Sequence, residues 1–349
     1  MTLRLTVDGD RWRQHLRAVA DSTPGLVPVA KGNGYGLGLA SLARRTDWLG
    51  VDTLAVGTYA ELPEVATRYD GALLVLNPWR PHVPDLDPAL RDRVIHTVSR
   101  AEDVADLLAR QPGARMVLER VTSMRRHGMT APELWSAAAE ARHHARVEGV
   151  ALHLPLGSIR GQGANLAETT RLMSDVIGAE LGTVWVSHLT ADELGRLRQE
   201  YADLVIRPRV GTGLWLGDRG ALRVSATVED VHEIARGDEF GYRGRTLHRP
   251  GHLVIAAGGT AHGIGLAAPS GDSGLRGRAA MVARGSLEAV GMSRSPYFVD
   301  GQQLHFAEPP HMQSSMLLLP HGARVPTVGE DLDVRVRYTT TTFDETTLT

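Results

Sequence analysis

The chain has 349 residues, 42% of them hydrophobic and 22% charged, the ordinary balance of a globular protein of about two domains. Its net charge of −2 offers neither a basic face for nucleic acid nor a polybasic signal for a membrane, and no apolar run approaches the ~20 residues of a spanning helix. Cysteine is absent, which excludes disulfides, a thiolate nucleophile and a Cys-bearing metal site.

The start, MTLRLTVDGDRW, carries no apolar signal region, so a cytoplasmic enzyme is the expected class. Residues 1–10 read as a strand that joins a later β domain. From residue 25 to about 210, short apolar runs alternate with amphipathic stretches. The runs are LVPVA (26–30), TLAVG (53–57), ALLVL (72–76), VIHTV (94–98), ARMVLE (114–119), GVALHL (149–154), TVWVSHL (183–189) and LVIRPRV (204–210). Each is rich in Val, Leu or Ile and short enough for a strand buried on both faces.

Helix-start chemistry follows several of them. Thr58 to Glu61, Ser99 to Glu102, Thr130 to Glu133 and Thr190 to Glu193 all read S/T-x-x-E, the pattern that satisfies the orphan N–H groups of a first turn. EDVADLLAR (102–110) and ELWSAAAEARHHA (133–145) supply amphipathic crossover helices. Eight such repeats predict an N-terminal (β/α)8 barrel over residues 11–218, with an open doubly wound sheet as the structural alternative. After Gly217 the texture changes to alternating runs (ALRVSATV, GHLVIAA, SMLLLP, DVRVRYTTTTF) with many Gly and Pro, which predicts a mainly β domain over 219–349. The Gly-rich SGDSGLRGR (270–278) reads as a loop.

One count stands out on this frame. Of the 38 basic residues, 37 are Arg and the single lysine is Lys31, in VPVAKGNGYGLG at the end of the first barrel run. Surface charge can be carried by either residue. Only lysine can give up its proton and act as a base or nucleophile, because the guanidinium stays protonated. A lysine that forms a Schiff base fits, and pyridoxal phosphate is the commonest such cofactor. The C-terminal ends of barrel strands are where barrel active sites are built. RPRVGTGLWLG (207–217), past the eighth run, suits either a plain interdomain turn or a phosphate-binding loop through Gly211, Thr212 and Gly213.

AKGNGYG resembles the pyridoxal-phosphate lysine motif of the alanine racemase family, and the resemblance covers nearly the whole chain, barrel and β domain alike. It implies an amino-acid racemase, most readily of alanine, acting as a homodimer. Carried over by position, Lys31 binds the cofactor and is one catalytic base. Tyr242, in GDEFGYRG, resembles the second base, which in the family serves the other subunit's site. Arg209 resembles the arginine at the pyridine nitrogen, and His153 the histidine beside the ring. Arg126 matches the arginine near the phenolic oxygen and the substrate carboxylate. Tyr35, Gly211, Thr212 and Tyr338 match the phosphate contacts, with Thr190 or Ser187 as hydroxyl donor. HMQSSM resembles the loop whose Met312 backbone approaches the substrate. No metal is implied.

This sequence departs from that pattern in places. Glu119 stands where the family has a lysine modified to a carbamate, Thr260 where many members carry tyrosine, and Gln313 where aspartate is common. Each carried residue also has a plainer structural reading: His153 as a core histidine between leucines, Tyr242 and Tyr338 as strand aromatics. Two alternatives accompany the racemase. One is another enzyme of the same fold type acting on a different amino acid; its decarboxylases use a cysteine, which this chain lacks. The other is a non-catalytic carrier of pyridoxal phosphate, a kind that is a barrel alone in the family.

Overall fold

A computed structural model describes residues 2–156, 161, 163–247, 249–266 and 293–349. The loop expected at 270–278 lies outside the described residues. The chain forms two compact units, Arg13–Gly217 and Met1–Trp12 with Asp218–Thr349.

The first unit is a closed barrel of parallel strands: β2 (Val27–Ala30), β3 (Thr53–Val56), β4 (Ala72–Val75), β5 (Val94–Val98), β6 (Arg115–Arg120), β7 (Arg146–Leu152), β8 (Thr183–Ser187) and β9 (Val205–Val210). Closure is made by β2 against β9, with Val27 opposite Arg209 and Pro28 opposite Val210. All eight apolar runs became strands, and the barrel rather than the open sheet is the outcome. Val29, Ala55, Leu74, Ile95, Val117, Ala151 and Trp185 fill the interior as one cluster. Burying a side chain of the larger kind contributes roughly 1.5–3 kcal/mol.

Side chains alternate along a strand. Two positions beyond that interior layer, the next inward-facing residues are therefore Lys31, Gly57, Leu76, Thr97, Glu119, His153 and Ser187. On β9 the guanidinium of Arg207 lies 4.7 Å over the Trp185 ring, and Arg209 follows two residues on. Strand periodicity alone thus raises a polar ring above an apolar plug, at the C-terminal end of the strands.

Helices begin largely where the motifs predict. Capping boxes stand at Thr58/Glu61, Thr130/Glu133 and Thr190/Glu193. Ser99/Glu102 is a correction. The helix Glu102–Arg110 is entered from Ala101, while the Ser99 hydroxyl accepts a hydrogen bond from Arg80 at 3.0 Å and Glu102 pairs with Arg100. An arginine on the neighbouring loop took the serine that the motif assigned to the cap.

The second unit is an eight-stranded sheet. It contains β1 (Leu3–Val7), β10 (Leu222–Ile234), β13 (Gly251–Ala257), β14 (Arg294–Val299), β15 (Gln302–Phe306), β16 (Ser314–Leu318), β17 (Asp331–Val334) and β18 (Glu345–Leu348). Pairings are antiparallel except β1 with β18. The long β10 breaks register between Val228 and Asp230; it pairs with β1 and β17 before the shift and with β13 from Val228 onward. A separate hairpin pairs β11 (Glu239–Phe240) with β12 (Arg245–Thr246). The predicted β run 333–343 is strand only to Val334. Thr340 N–H bonds back to the Arg337 carbonyl, a turn that ends any extension.

Candidate active site

Lys31 leaves β2 at its C-terminal end, and the chain then turns sharply. Gly32, Gly34, Gly36 and Gly38 all have positive φ, and Tyr35 between them sits at φ 57°, a region L side chains rarely adopt. The Lys31 amine is held below the ordinary lysine range by partial desolvation at the strand ends first and by the Arg126 guanidinium next; Arg209 acts the same way and Glu61 against it. Such an amine is neutral more often than an exposed lysine and can accept a proton.

The strained turn aims the Tyr35 hydroxyl at the loop after β9. A side-chain carbon at Gly211 would stand 2.1 Å from the Tyr35 oxygen, so only glycine leaves room for the hydroxyl there. Gly211 precedes a single helical turn, Thr212–Trp215, and the Trp215 indole donates to the Val29 carbonyl at 2.8 Å. That bond anchors the loop to the strand that carries Lys31. Tyr35, Gly211 and Thr212, distant in sequence, are thereby brought together.

Arg209 is 8% exposed and donates to the Leu152 carbonyl at 3.0 Å; its Nε is buried with no hydrogen-bond partner among the described residues. Burial lowers its pKa to about 10, with Glu119 acting against and Arg126 with that shift. Glu119 is 5% exposed, and one of its oxygens, Oε2, likewise lacks a partner among the described residues. Burial pushes its carboxyl up, and Arg209, Arg126 and Arg80 pull it back. Glu119 therefore stands as a buried acceptor between arginines. Arg126 lies on the exposed loop between Val121 and Met129, closed by bonds from Met129 N–H to the Glu119 carbonyl and from Val121 N–H to Met129.

His153 follows β7. Its Nδ1 is 2.9 Å from the Ser187 hydroxyl, and its ring centroid is 5.5 Å from that of His188. Burial first, then Arg209 and Arg126, lower its pKa to about 3, so it is neutral at physiological pH. Thr190 and Ser187 are both engaged already. The Thr190 hydroxyl belongs to its own cap with Glu193, and Ser187, besides His153, accepts from the Leu154 N–H at 3.2 Å.

The remaining predicted residues belong to the β unit. Tyr242 tops the β11–β12 hairpin and is 86% exposed. Its N–H donates to the Glu308 carboxylate at 3.0 Å, and its ring packs 4.6 Å from His311, which is itself 2.6 Å from Glu308. Glu308 is 3% exposed. The strand-end segment 258–261 lies along 311–313: Gly258 N–H donates to the Gln313 carbonyl, Thr260 to His311 and Ala261 to Met312. Met312 is 70% exposed. The β unit thus gathers Tyr242, Thr260, Met312 and Gln313. Tyr338 is apart from them, its ring under the Arg219 guanidinium at 4.9 Å and beside Phe343.

Three groups here escaped the sequence reading. Glu61 was legible only as a cap, although its place just after β3 was the available signal. His188, at φ 59°, and the Glu308–His311 pair carried no local signal, because each matters only through a partner distant in sequence.

The description "Alanine racemase, N-terminal domain" matches residues 7–214. The alanine racemase of Mycolicibacterium vanbaalenii is 27% identical over 263 residues, covering 68% of this chain and 66% of that protein, just under two thirds of its length. Among solved structures, the alanine racemase of Bartonella henselae, described with covalently bound pyridoxal phosphate, superposes with a TM-score of 0.71 at 18% identity, covering 97% of this chain and 91% of that one. The alanine racemase of the D-cycloserine producer Streptomyces lavendulae gives 0.68 at 20% identity, with 96% and 87% covered. At such identities the structures establish the fold. The match over residues 7–214, well over half of the chain, establishes more: the chain belongs to the alanine racemase family.

Proposed function

We propose that this chain is a pyridoxal-phosphate-dependent amino-acid racemase that interconverts L- and D-alanine, with Lys31 and Tyr242 as its two bases. The observation that carries the reading is the placement of the chain's one lysine at the barrel mouth, in a setting that favours its neutral form. The relatives' names support the substrate and the cofactor.

The residues present fit the cofactor. Arg209 keeps a buried Nε with no partner among the described residues, and the notch at Gly211 keeps the Tyr35 hydroxyl and the first turn of Thr212–Trp215 together. A helix's first turn leaves N–H groups outside its own bonding pattern, which suits a phosphate. In this reading Tyr35, Gly211, Thr212 and Tyr338 would hold the phosphate with Thr190 or Ser187 as hydroxyl donor, His153 would lie beside the ring, and Arg209 would face the ring nitrogen. When bound, pyridoxal phosphate supplies the electron sink that acidifies the α-hydrogen of an amino acid.

Racemisation then requires one group to take a proton from one face of Cα and another to deliver one to the opposite face. Lys31, with its lowered amine pKa, takes or returns the proton on one face; the Tyr242 hydroxyl does so on the other. Arg209 stays protonated and offers a hydrogen bond rather than a proton. Glu119 balances Arg209 and Arg126, Arg126 binds the substrate carboxylate, and the Met312 backbone is the other substrate contact of this reading. The reading assigns cofactor binding to residues 11–218, the second base to 219–349 and an added strand to 1–10. It includes a homodimer in which Tyr242 serves the site of a second copy, working in the cytoplasm.

The test is to load the protein with pyridoxal phosphate, reduce with borohydride, map the adduct, and assay L-amino acids on a chiral column. An adduct on Lys31 and D-alanine from L-alanine are expected. No adduct on Lys31, or no racemisation of any amino acid, would sink the reading; turnover of a different amino acid would replace the substrate.

A further inference from the structure

Glu61 makes more bonds than a helix cap requires. It closes the turn Tyr59–Glu61 just after β3, and the cap itself needs only the bond from Thr58 N–H, present at 3.1 Å. The same Oε2 also accepts from Gly57 N–H at 2.6 Å. Oε1 reaches across to the neighbouring strand and accepts from Gly32 N–H at 2.9 Å, on the residue directly after Lys31. A side-chain carbon at Gly57 would stand 3.0 Å from Lys31 Cβ and 3.1 Å from Glu61 Oε2, so the lysine stem and the carboxylate converge on one notch.

We propose that Glu61 is a positioning residue for Lys31: its carboxylate clamps the two strand-end loops that flank the lysine and supplies the nearby negative charge that its ammonium form needs. The proposal rests on the reading of Lys31 as the cofactor-binding base.

The groups that act on the amine come from most of the barrel. Arg126 lies on the loop after β6, His153 and His188 follow β7 and β8, Arg209 ends β9 and Glu61 follows β3, while Glu119 acts on the two arginines. Burial, Arg126 and Arg209 all favour the neutral amine, and Glu61 opposes them. A base that must also return a proton works best when its two protonation states are balanced. Two arginines without Glu61 would leave an amine that is readily neutral but weakly basic.

The single lysine makes the test direct, since Lys31 carries the chain's one ε-amine. In the full-length protein before cofactor loading, the rate of Lys31 modification by trinitrobenzenesulfonate at neutral pH, read by peptide mapping, reports its neutral fraction. Glu61→Gln removes the charge and is expected to raise that rate roughly threefold or more. Glu61→Asp, which keeps the charge, should restore it toward wild type. Thr58→Ala loosens the same cap without touching the charge and should leave the rate unchanged. Equal rates in Glu61→Gln and wild type, or equal acceleration in Thr58→Ala, would reduce Glu61 to a cap and overturn the proposal. Loading with pyridoxal phosphate is a separate arm: a wild-type protein that takes none on Lys31 refutes the function and leaves the labelling comparison readable.

Discussion

Tyr35 and Gly211 depend on each other. The tyrosine is held at positive φ so that its hydroxyl can occupy the space a side chain at 211 would fill. Gly211→Ala should therefore destabilise the fold by about 1–3 kcal/mol, the usual range for overpacking. Removing the hydroxyl relieves most of the conflict, because the nearest remaining atom, Cζ, lies 3.1 Å from the added carbon. The double variant Gly211→Ala/Tyr35→Phe should recover part of the loss in urea unfolding; strictly additive effects would show that the two do not meet. At this scale Lys31 was legible as a candidate because a chain that uses arginine almost everywhere keeps its one lysine at the end of a barrel strand. Glu308 was not legible. Its contact with Tyr242 spans 66 positions and exists only once the β11–β12 hairpin lies against residues 307–311.

That hairpin has only two residues in each strand, too few to hold Tyr242 by pairing alone. The buried Glu308 carboxylate does so through the Tyr242 N–H, and Arg245 adds a bond to the Ala307 carbonyl at 3.1 Å. Glu308→Ala should speed amide hydrogen exchange at Tyr242 and lower turnover on the order of tenfold or more, with cofactor loading on Lys31 unchanged. Unaltered exchange at Tyr242 would mean the carboxylate does not position it. The same contrast between local and distant bonding explains which elements the sequence revealed. The barrel strands are buried on both faces and read as continuous apolar runs, so all eight were found. In the β unit, RSPYFV carries a proline and QQLHF is half polar; β14 and β15 are strands because they pair with each other and with β17 and β16. Alternation misled beyond Val334, where pairing ends with one bond from Arg335 N–H to the Pro296 carbonyl and a turn follows.

Across the whole molecule, His96 and His153 tie stability to pH. His96 is 1% exposed with its Nδ1 2.9 Å from the Tyr59 hydroxyl, and burial lowers its pKa to about 4; His153 falls to about 3. Both folded values lie below the ordinary value of about 6.5. Between those limits the unfolded chain binds more protons. Their contribution to stability is therefore complete above about pH 6.5 and is lost as pH falls toward 3–4, by at most about 1.4 kcal/mol per pH unit for each histidine. His96→Gln should flatten the acid limb of the unfolding free energy measured against pH; an unchanged slope would remove His96 from this account.

The two-base chemistry is tested most directly by Tyr242→Phe in deuterium oxide, with L- and D-alanine followed separately. The variant should keep its cofactor on Lys31 and lose turnover on the order of 10²–10⁴-fold in both directions, since racemisation has an equilibrium constant near one. It should still exchange the α-hydrogen of the one enantiomer whose proton Lys31 removes, returning it without inversion. Exchange lost equally for both enantiomers, or turnover left intact, would contradict the assignment of Lys31 and Tyr242 to opposite faces.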